Sequence, residues 1–388
     1  MITDPVGIVA VLLFIEASIF LAASSPRFRK FFGVLPPMFW IYFLPICVST
    51  AGILPQESGV YPFITQTFLP SAIILLLLSV DVRAIGRLGA TALIMMAAGS
   101  FGILIGAPIV ILLFKPFLPG NIWMGFGALS GSWIGGSANM IAIKEGIGTP
   151  EDLFLLMVIV DTIVSYSWMG ILIACAGFQE RFDRWNHADT RALARLEAAM
   201  LAEQQERSMP SVRDICLIVA VAVGGTFVSS VIAARLPEVK NLFSAFTWTI
   251  LLVSIIGVLL SGTPARRLEG SGASAFGYVL LYLVLASIGA RANLSQIAAA
   301  PVLILAGFVW ILMHAGILVV TARFLKAPLF FVVVSSQANI GGTASAPVVA
   351  EVYRKGLAPV GVLMAILGLI TGTFLGLLCS QLCRMVSG

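Results

Sequence analysis

The chain has 388 residues, of which 59% are hydrophobic and 11% charged, and its formal net charge is +5 at pH 7. Its mean hydropathy is +1.04. Ordinary soluble domains carry about 25% charged residues, so this chain lacks the polar surface that would cover a soluble core. The composition excludes a soluble protein and predicts an all-α polytopic membrane protein in contact with lipid. In such a protein the positive charge belongs to loops, and it indicates no nucleic-acid partner.

Apolar segments of roughly the length that a bilayer requires recur along the whole chain. Twelve of them can be separated, at about 6–24, 35–54, 60–80, 90–114, 121–143, 152–176, 214–234, 242–261, 274–291, 299–322, 327–350 and 357–383. The chain opens with "MITDP", without basic residues before the first apolar run. This start predicts a retained span rather than a cleaved signal peptide.

A single long polar segment, residues 177–212, separates the first six apolar segments from the last six. Its middle is rich in Ala, Leu and Glu, which predicts a solvated helical linker on the cytoplasmic side. We therefore divide the chain into an N-terminal membrane repeat (1–176), the linker (177–212) and a C-terminal membrane repeat (213–388).

The two halves resemble each other in the order of their motifs. "LLLLSVDVRAI" (75–85) matches "YLVLASIGARANL" (282–294), and "WIGG" (133–136) matches "NIGG" (339–342). An internal duplication explains this recurrence economically.

The distribution of Lys and Arg bears on the topology of the repeats. If all twelve segments crossed the membrane, these residues would divide almost evenly between the two sides. If 121–143 and 327–350 instead enter and leave on one side, the basic residues concentrate with the linker, as the positive-inside rule requires. We therefore predict ten crossings, both termini outside, and two inverted repeats with paired glycine-interrupted helices. Whether these helices are re-entrant or cross each other stays open at this point.

The two glycine pairs, Gly135-Gly136 and Gly341-Gly342, mark the centre of the predicted binding site. In hydrocarbon, irregular backbone survives only where protein or a cavity surrounds it, and interruptions at matching positions of inverted repeats are typical of transporter binding sites. The alternative is that small residues only allow close helix packing. The predicted substrate-binding residues are Ser132, Gly135, Gly136, Ser137, Asn139, Gln337, Asn339, Gly341, Gly342, Thr343 and Ser345.

Ionisable residues inside apolar segments are expensive and point to function by default. Asp161 is the predicted ion-coupling residue, and a Na⁺ ion is expected near Asp161 and Asn139 unless the coupling ion is a proton. A purely structural carboxylate is the alternative. Glu16, His314 and Arg291 are weaker candidates for a functional role. For His314 the alternative is structural, since a lone buried His is more often a satisfied hydrogen-bonding group.

The stretches "GSWIGGSAN" and "SQANIGGTASAP", together with "LLLLSVDVRAI" and "IGARANL", resemble the YjcL-like family of unknown function (domain of unknown function 819). The resemblance covers essentially the whole chain. This family is placed near the bile-acid sodium symporters and the cation:proton antiporters. The resemblance implies an inverted-repeat carrier, often a homodimer, in which a core domain moves against a panel or dimerisation domain. It also implies an ion-binding acid in the segment that contains Asp161.

The sequence thus predicts a secondary active transporter in the plasma (inner) membrane, coupled to Na⁺ or H⁺ and carrying a small, anionic organic solute. The alternative is a monovalent cation:proton antiporter without an organic substrate, and a non-transporting receptor or scaffold is a third class. HExxH, GxSxG and Walker A motifs do not occur. We therefore expect no enzyme, no catalytic residue and no cofactor beyond the coupling ion.

Overall fold

A computed structural model describes most of the chain. The described residues are 1–28, 31–32, 37–78, 80, 85–86, 88–189, 193, 210–237, 244–291, 300–355 and 357–387. Most of the predicted linker, at 190–192 and 194–209, lies outside the described residues.

The secondary structure of the described residues is helical, without strands. In chain order the α-helices are α1 (Pro5–Ser24), α2 (Pro37–Thr50), α3 (Val60–Leu78), α4 (Gly89–Phe114), α5 (Ile122–Gly135), α6 (Ser137–Ile147), α7 (Glu151–Ala174), α8 (Gln179–Asn186), α9 (Val212–Ala233), α10 (Ala245–Ser261), α11 (Ala273–Arg291), α12 (Ala300–Leu325), α13 (Leu329–Ile340), α14 (Gly342–Tyr353) and α15 (Ala358–Ser387). Within this part of the chain, 8 helices are long and apolar enough to cross a membrane. The predicted all-α polytopic membrane fold is confirmed.

The predicted apolar segments coincide with these helices. Ten of the twelve each correspond to one helix, and the two segments with glycine pairs each contain two helices. This agreement reflects the local nature of the signal, because a helix is the simplest way to satisfy every backbone group of an apolar segment.

The chain forms two compact units, and each unit draws on both halves of the sequence. Unit 1 comprises Met1–Ser79, Gly148–Thr162 and Arg207–Ala300. Unit 2 comprises Val80–Ile147, Ile163–Glu206 and Pro301–Gly388. The two sequence repeats and the two compact units therefore divide the chain differently.

Helices at equivalent positions of the two halves pack in equivalent ways within unit 1. α2 packs on α11, α10 packs on α3, and α3 packs on α11. A cluster of buried side chains that includes Leu75 and Leu78 of α3, Ile218 and Ala222 of α9 and Ala273 of α11 joins α3, α9 and α11. Such pairing is what duplicated halves would produce, and the inverted orientation of the halves stays a prediction.

In unit 2, α5 and α15 pack together through small residues. Glycines recur at four-residue intervals on both helices: Gly127, Gly131 and Gly135 on α5, and Gly368, Gly372 and Gly376 on α15. A Cβ atom on Gly376 would lie 3.2 Å from the Cα of Gly131, and one on Gly372 would lie 2.9 Å from the Cα of Gly135. The two backbones therefore approach as closely as small-residue repeats allow in membrane proteins.

The described start of the predicted linker is docked rather than freely solvated. Asn186, at the end of α8, is fully buried, and its amide nitrogen donates to the carbonyl oxygens of Ala322 (3.1 Å) and Ala327 (2.7 Å). The Asp183 carboxylate accepts from the backbone N–H of Leu329 at 2.7 Å. These bonds fasten α8 to the connection between α12 and α13.

We expect Asn186→Ala to lower the stability of the protein by about 1–3 kcal/mol, because two buried carbonyl oxygens lose a donor. Thermal unfolding of the purified protein in detergent measures the change. Arg181→Ala, at an exposed position of the same helix, serves as the control and should stay near wild type. Equal melting temperatures for both variants would contradict the docking role.

Candidate functional site

The first helix break lies at Gly136. α5 ends at Gly135 and α6 begins at Ser137, and Gly136 has a φ of 88°, a conformation that glycine adopts without steric cost. Its N–H donates to the carbonyl oxygen of Ser132 at 2.7 Å, and its carbonyl oxygen accepts from the N–H of Asn139 at 3.0 Å. The backbone groups beside the break thus keep local partners.

The second helix break lies at Gly341 and Gly342. α13 ends at Ile340, and α14 begins at Gly342, whose φ is 60°. The side chain of Gln337 bridges this break, because its Nε2 donates to Ser345 Oγ at 2.6 Å. A Cβ on Gly341 would collide with this pair of side chains, so glycine at this position leaves room for the bridge.

The two breaks meet each other inside unit 2. A Cβ atom on Gly342 would lie 3.8 Å from the Cα of Gly136. The N-terminal ends of α6 and α14 therefore lie next to each other. Helix N-termini carry free N–H groups and partial positive charge, and here two of them are adjacent.

Burial separates the predicted binding residues into two groups. Ser132, Gly135, Asn139, Gln337, Asn339 and Gly342 are buried, whereas Gly136, Ser137, Gly341, Thr343 and Ser345 are half-buried. The accessible polar side chains at the breaks are thus the hydroxyls of the first turns of α6 and α14.

The Asn139 side chain fastens the first break to α15. Its Nδ2 donates to the carbonyl oxygens of Gly135 (2.8 Å) and Leu369 (3.3 Å), and its Oδ1 accepts from the hydroxyl of Thr373. Both amide hydrogens and one acceptor position are therefore occupied within the protein.

The Asn339 side chain plays the same part beside the second break. Its Nδ2 donates to the carbonyl oxygen of Ser335 at 3.0 Å, and its Oδ1 accepts from Ser100 Oγ of α4 at 2.8 Å. Both asparagines hold the helices around the breaks, and direct contact of either one with a solute stays a prediction. Their partners Ser100 and Thr373 were not predicted, because nothing local in the sequence distinguishes them from other helix hydroxyls.

Gln337 has spare hydrogen-bonding capacity at the second break. The residue is 1% exposed, and its Oε1 has no hydrogen-bond partner among the described residues. A buried acceptor without a partner costs free energy. This oxygen is therefore suited to a donor or a cation that enters the site.

Three of the ionisable candidates, Asp161, Glu16 and Arg291, belong to unit 1. Asp161 is buried on the part of α7 that belongs to unit 1, and Glu16 is buried on α1. Arg291 forms an ion pair with Glu151, with 2.8 Å between nitrogen and oxygen. Because Asp161 belongs to unit 1 and Asn139 to unit 2, a Na⁺ site that uses both stays a prediction of the sequence. No cluster of three or more His, Cys, Asp and Glu suited to a metal occurs in the described part of the chain.

These features define the class of protein: a polytopic helical membrane protein with two helix breaks that meet inside one unit. Residues 10–386 match the family described as "Protein of unknown function (DUF819)", and the chain belongs to this family. The "Uncharacterized membrane protein YjcL" of Bacillus subtilis (strain 168) is 28% identical over 345 residues, covering 84% of this chain and 86% of that protein. The resemblance noted on the glycine motifs is confirmed.

We expect Thr373→Val to lower stability by about 1–3 kcal/mol, because the buried Oδ1 of Asn139 loses its donor with little change in side-chain volume. The measurement is thermal unfolding in detergent. Thr371→Val is a matched control, since that hydroxyl is exposed and bonds to its own helix at Leu367. If the two variants unfold at the same temperature, the bond to Asn139 does not secure the first break.

Proposed function

We propose that this protein is a secondary active transporter of a small, anionic organic solute, coupled to Na⁺ or H⁺, in the plasma membrane. The observation that carries the proposal is the meeting of the two breaks, with 3.8 Å between Gly136 Cα and a Cβ position on Gly342. Paired discontinuous helices whose N-termini converge are the form that anion-binding sites take in several transporter folds.

The chemistry of the breaks favours an anion that also carries a hydrogen-bond donor. The converging N-termini of α6 and α14 supply N–H groups and partial positive charge for a carboxylate. The hydroxyls of Ser137 and Thr343 stand in the first turns of these helices and are half-buried. The free Oε1 of Gln337 would accept from a hydroxyl or ammonium group of the solute, or contact a cation.

Coupling requires that the ion bind one conformation of the carrier better than the other. We assign this role to Asp161, a buried carboxylate in an apolar helix, since such groups mark ion pathways in membrane proteins. With the linker in the cytoplasm, as the distribution of basic residues predicts, α8 fastens to the cytoplasmic connection before α13.

A cation:proton antiporter without an organic substrate is the second candidate. Two observations favour it: the buried carboxylate of Asp161 and the free carboxamide oxygen of Gln337. Carboxylate and carboxamide oxygens can bind Na⁺ without an organic anion as a second substrate. The two functions differ in whether stabilisation by a cation needs a carboxylate.

The test is a thermal-unfolding screen of the purified protein with Na⁺, K⁺ and pH varied, with and without lactate, succinate, citrate and glutamate. A ligand at about 100 times its Kd stabilises the folded state by about 2.7 kcal/mol. Stabilisation that needs one of the carboxylates supports the symporter, and stabilisation by cation and pH alone supports the antiporter. A flat response to every condition would contradict both functions.

Glycine variants connect that response to the breaks. Gly136→Val and Gly342→Val should abolish stabilisation by the carboxylate, because a β-branched residue is strained at positive φ. Gly316→Val is the control, since this exposed glycine of α12 has an ordinary φ and open space at its Cβ position. A wild-type response in both break variants would return the glycine pairs to a packing role.

Asp161→Asn removes the charge with almost no change in volume, and it separates coupling from binding. We expect the cation- or pH-dependent part of the stabilisation to disappear while carboxylate binding at the helix N-termini persists. Asp152→Asn is the control on the same helix, because Asp152 lies in the first turn and accepts from the N–H of Leu153. Unchanged cation dependence in Asp161→Asn would make Asp161 structural and Glu16 the next candidate.

A further inference from the structure

A continuous chain of hydrogen bonds joins four helices of unit 2 just before the second break. Trp168 Nε1 on α7 donates to Ser336 Oγ on α13 at 2.8 Å. Ser336 Oγ lies 3.0 Å from His314 Nε2 on α12, and His314 Nδ1 lies 2.9 Å from the carbonyl oxygen of Gly99 on α4. His314 is fully buried.

For a neutral ring, the partners fix the direction of every bond in this chain. A carbonyl oxygen can only accept, so Nδ1 of His314 carries a hydrogen and donates to Gly99. In a neutral ring Nε2 is then an acceptor, and the Ser336 hydroxyl donates to it. The indole N–H of Trp168 donates to the oxygen of that same hydroxyl. A neutral ring at this position is therefore the Nδ1-protonated tautomer.

Glycines on α4 make room for the imidazole. A Cβ on Gly99 would lie 3.1 Å from His314 Cε1, and a Cβ on Gly102 would lie 3.0 Å from His314 Cα. A side chain at Gly99 would also lie 2.5 Å from Asn339 Nδ2, so larger residues at these positions would disturb the packing around the ring. The two glycines of α4 thus leave space for His314 of α12.

The charged groups on the helices that meet at the ring argue for the neutral form. α4 and α13 contain no charged residue, and Arg323, nine positions on, is the charged residue of α12. On α7, Asp161 lies seven positions before Trp168, and Glu151 and Asp152 lie in the first turn. A buried imidazolium without a counter-charge is strongly disfavoured.

We propose that His314 is a positioning residue that, as the Nδ1-protonated neutral ring, holds Ser336 and with it the last turn of α13 before the break. Addition of a proton at Nε2 would reverse the bond to Ser336, because Nε2 would then donate to Ser336 Oγ and the Ser336 hydroxyl hydrogen would need another acceptor. The last turn of α13 also carries Gln337. The inference deepens the proposed function, since this turn forms one wall of the proposed binding site.

Nitrogen NMR tests the tautomer directly and needs no substrate. The chain contains 2 histidines, so His187→Gln, at an exposed position, leaves His314 as the remaining ring. With ¹⁵N-labelled histidine at neutral pH, we expect Nδ1 to show the shift of a protonated nitrogen and Nε2 that of an unprotonated one. A ring protonated at Nε2, or at both nitrogens, would overturn the proposal.

Neighbouring serines supply a matched pair of variants. Ser336→Ala removes the donor to Nε2 and should shift the Nε2 resonance and lower the melting temperature. Ser335→Ala is the control, because the buried Oγ of Ser335 has no hydrogen-bond partner among the described residues. Equal effects of the two variants on the ring would refute the chain, and the His187→Gln spectrum decides the tautomer even if Ser336→Ala does not fold.

A positioning role also predicts a response to ligand. Citrate or succinate, whichever stabilises the protein, should shift the Nε2 resonance of His314 at saturation while leaving Nδ1 protonated. An Nε2 resonance that ignores a bound carboxylate would show that His314 is only a structural residue. Absence of carboxylate binding would fail the proposed function and leave the tautomer result standing.

Discussion

The requirement that every backbone N–H and C=O find a partner away from water governs unit 2. A continuous helix meets this requirement by itself, whereas at each break several N–H and C=O groups lose their partners within the helix. The protein answers with side chains: the Gln337 carboxamide spans one break, and the Asn139 carboxamide takes up a carbonyl oxygen beside the other. Because the two breaks are adjacent, these substitute partners and the unpaired Oε1 of Gln337 are gathered in one unit.

The sequence predicts the helices well because apolar length is a local property. It also locates both breaks, since glycine next to hydroxyl residues is unusual in an apolar helix. It does not distinguish the two glycines of a pair. Gly135 is needed for close approach to Gly368 and Gly372, whereas Gly136 is needed for its positive φ. The packing interpretation of the first glycine pair therefore applies to Gly135, Gly136 permits the break itself, and the binding interpretation stays a prediction.

The sequence is least informative about which polar groups satisfy one another. Asn139 and Asn339 stand out as polar residues in apolar segments, yet the partners of their side chains, Thr373 and Ser100, lie more than two hundred residues away in the chain. The same holds for Asn186, whose polar neighbourhood predicts solvent exposure but whose partners are Ala322 of α12 and Ala327 of the connection that follows α12. Periodicity and composition describe one segment at a time, and such pairings are set only when distant helices pack.

The glycine ladder between α5 and α15 also limits how these helices can slide. Glycines repeat every four residues on both helices, so an equivalent set of contacts recurs only after a shift of about 6 Å along the axis. At intermediate shifts, larger side chains would face the partner backbone and force the helices apart. Close contact between α5 and α15 is therefore possible only at registers about 6 Å apart, and steric clashes oppose smaller displacements along the helix axis. Because Asn139 is hydrogen-bonded to Thr373 of α15, the position of the first break is fixed relative to α15.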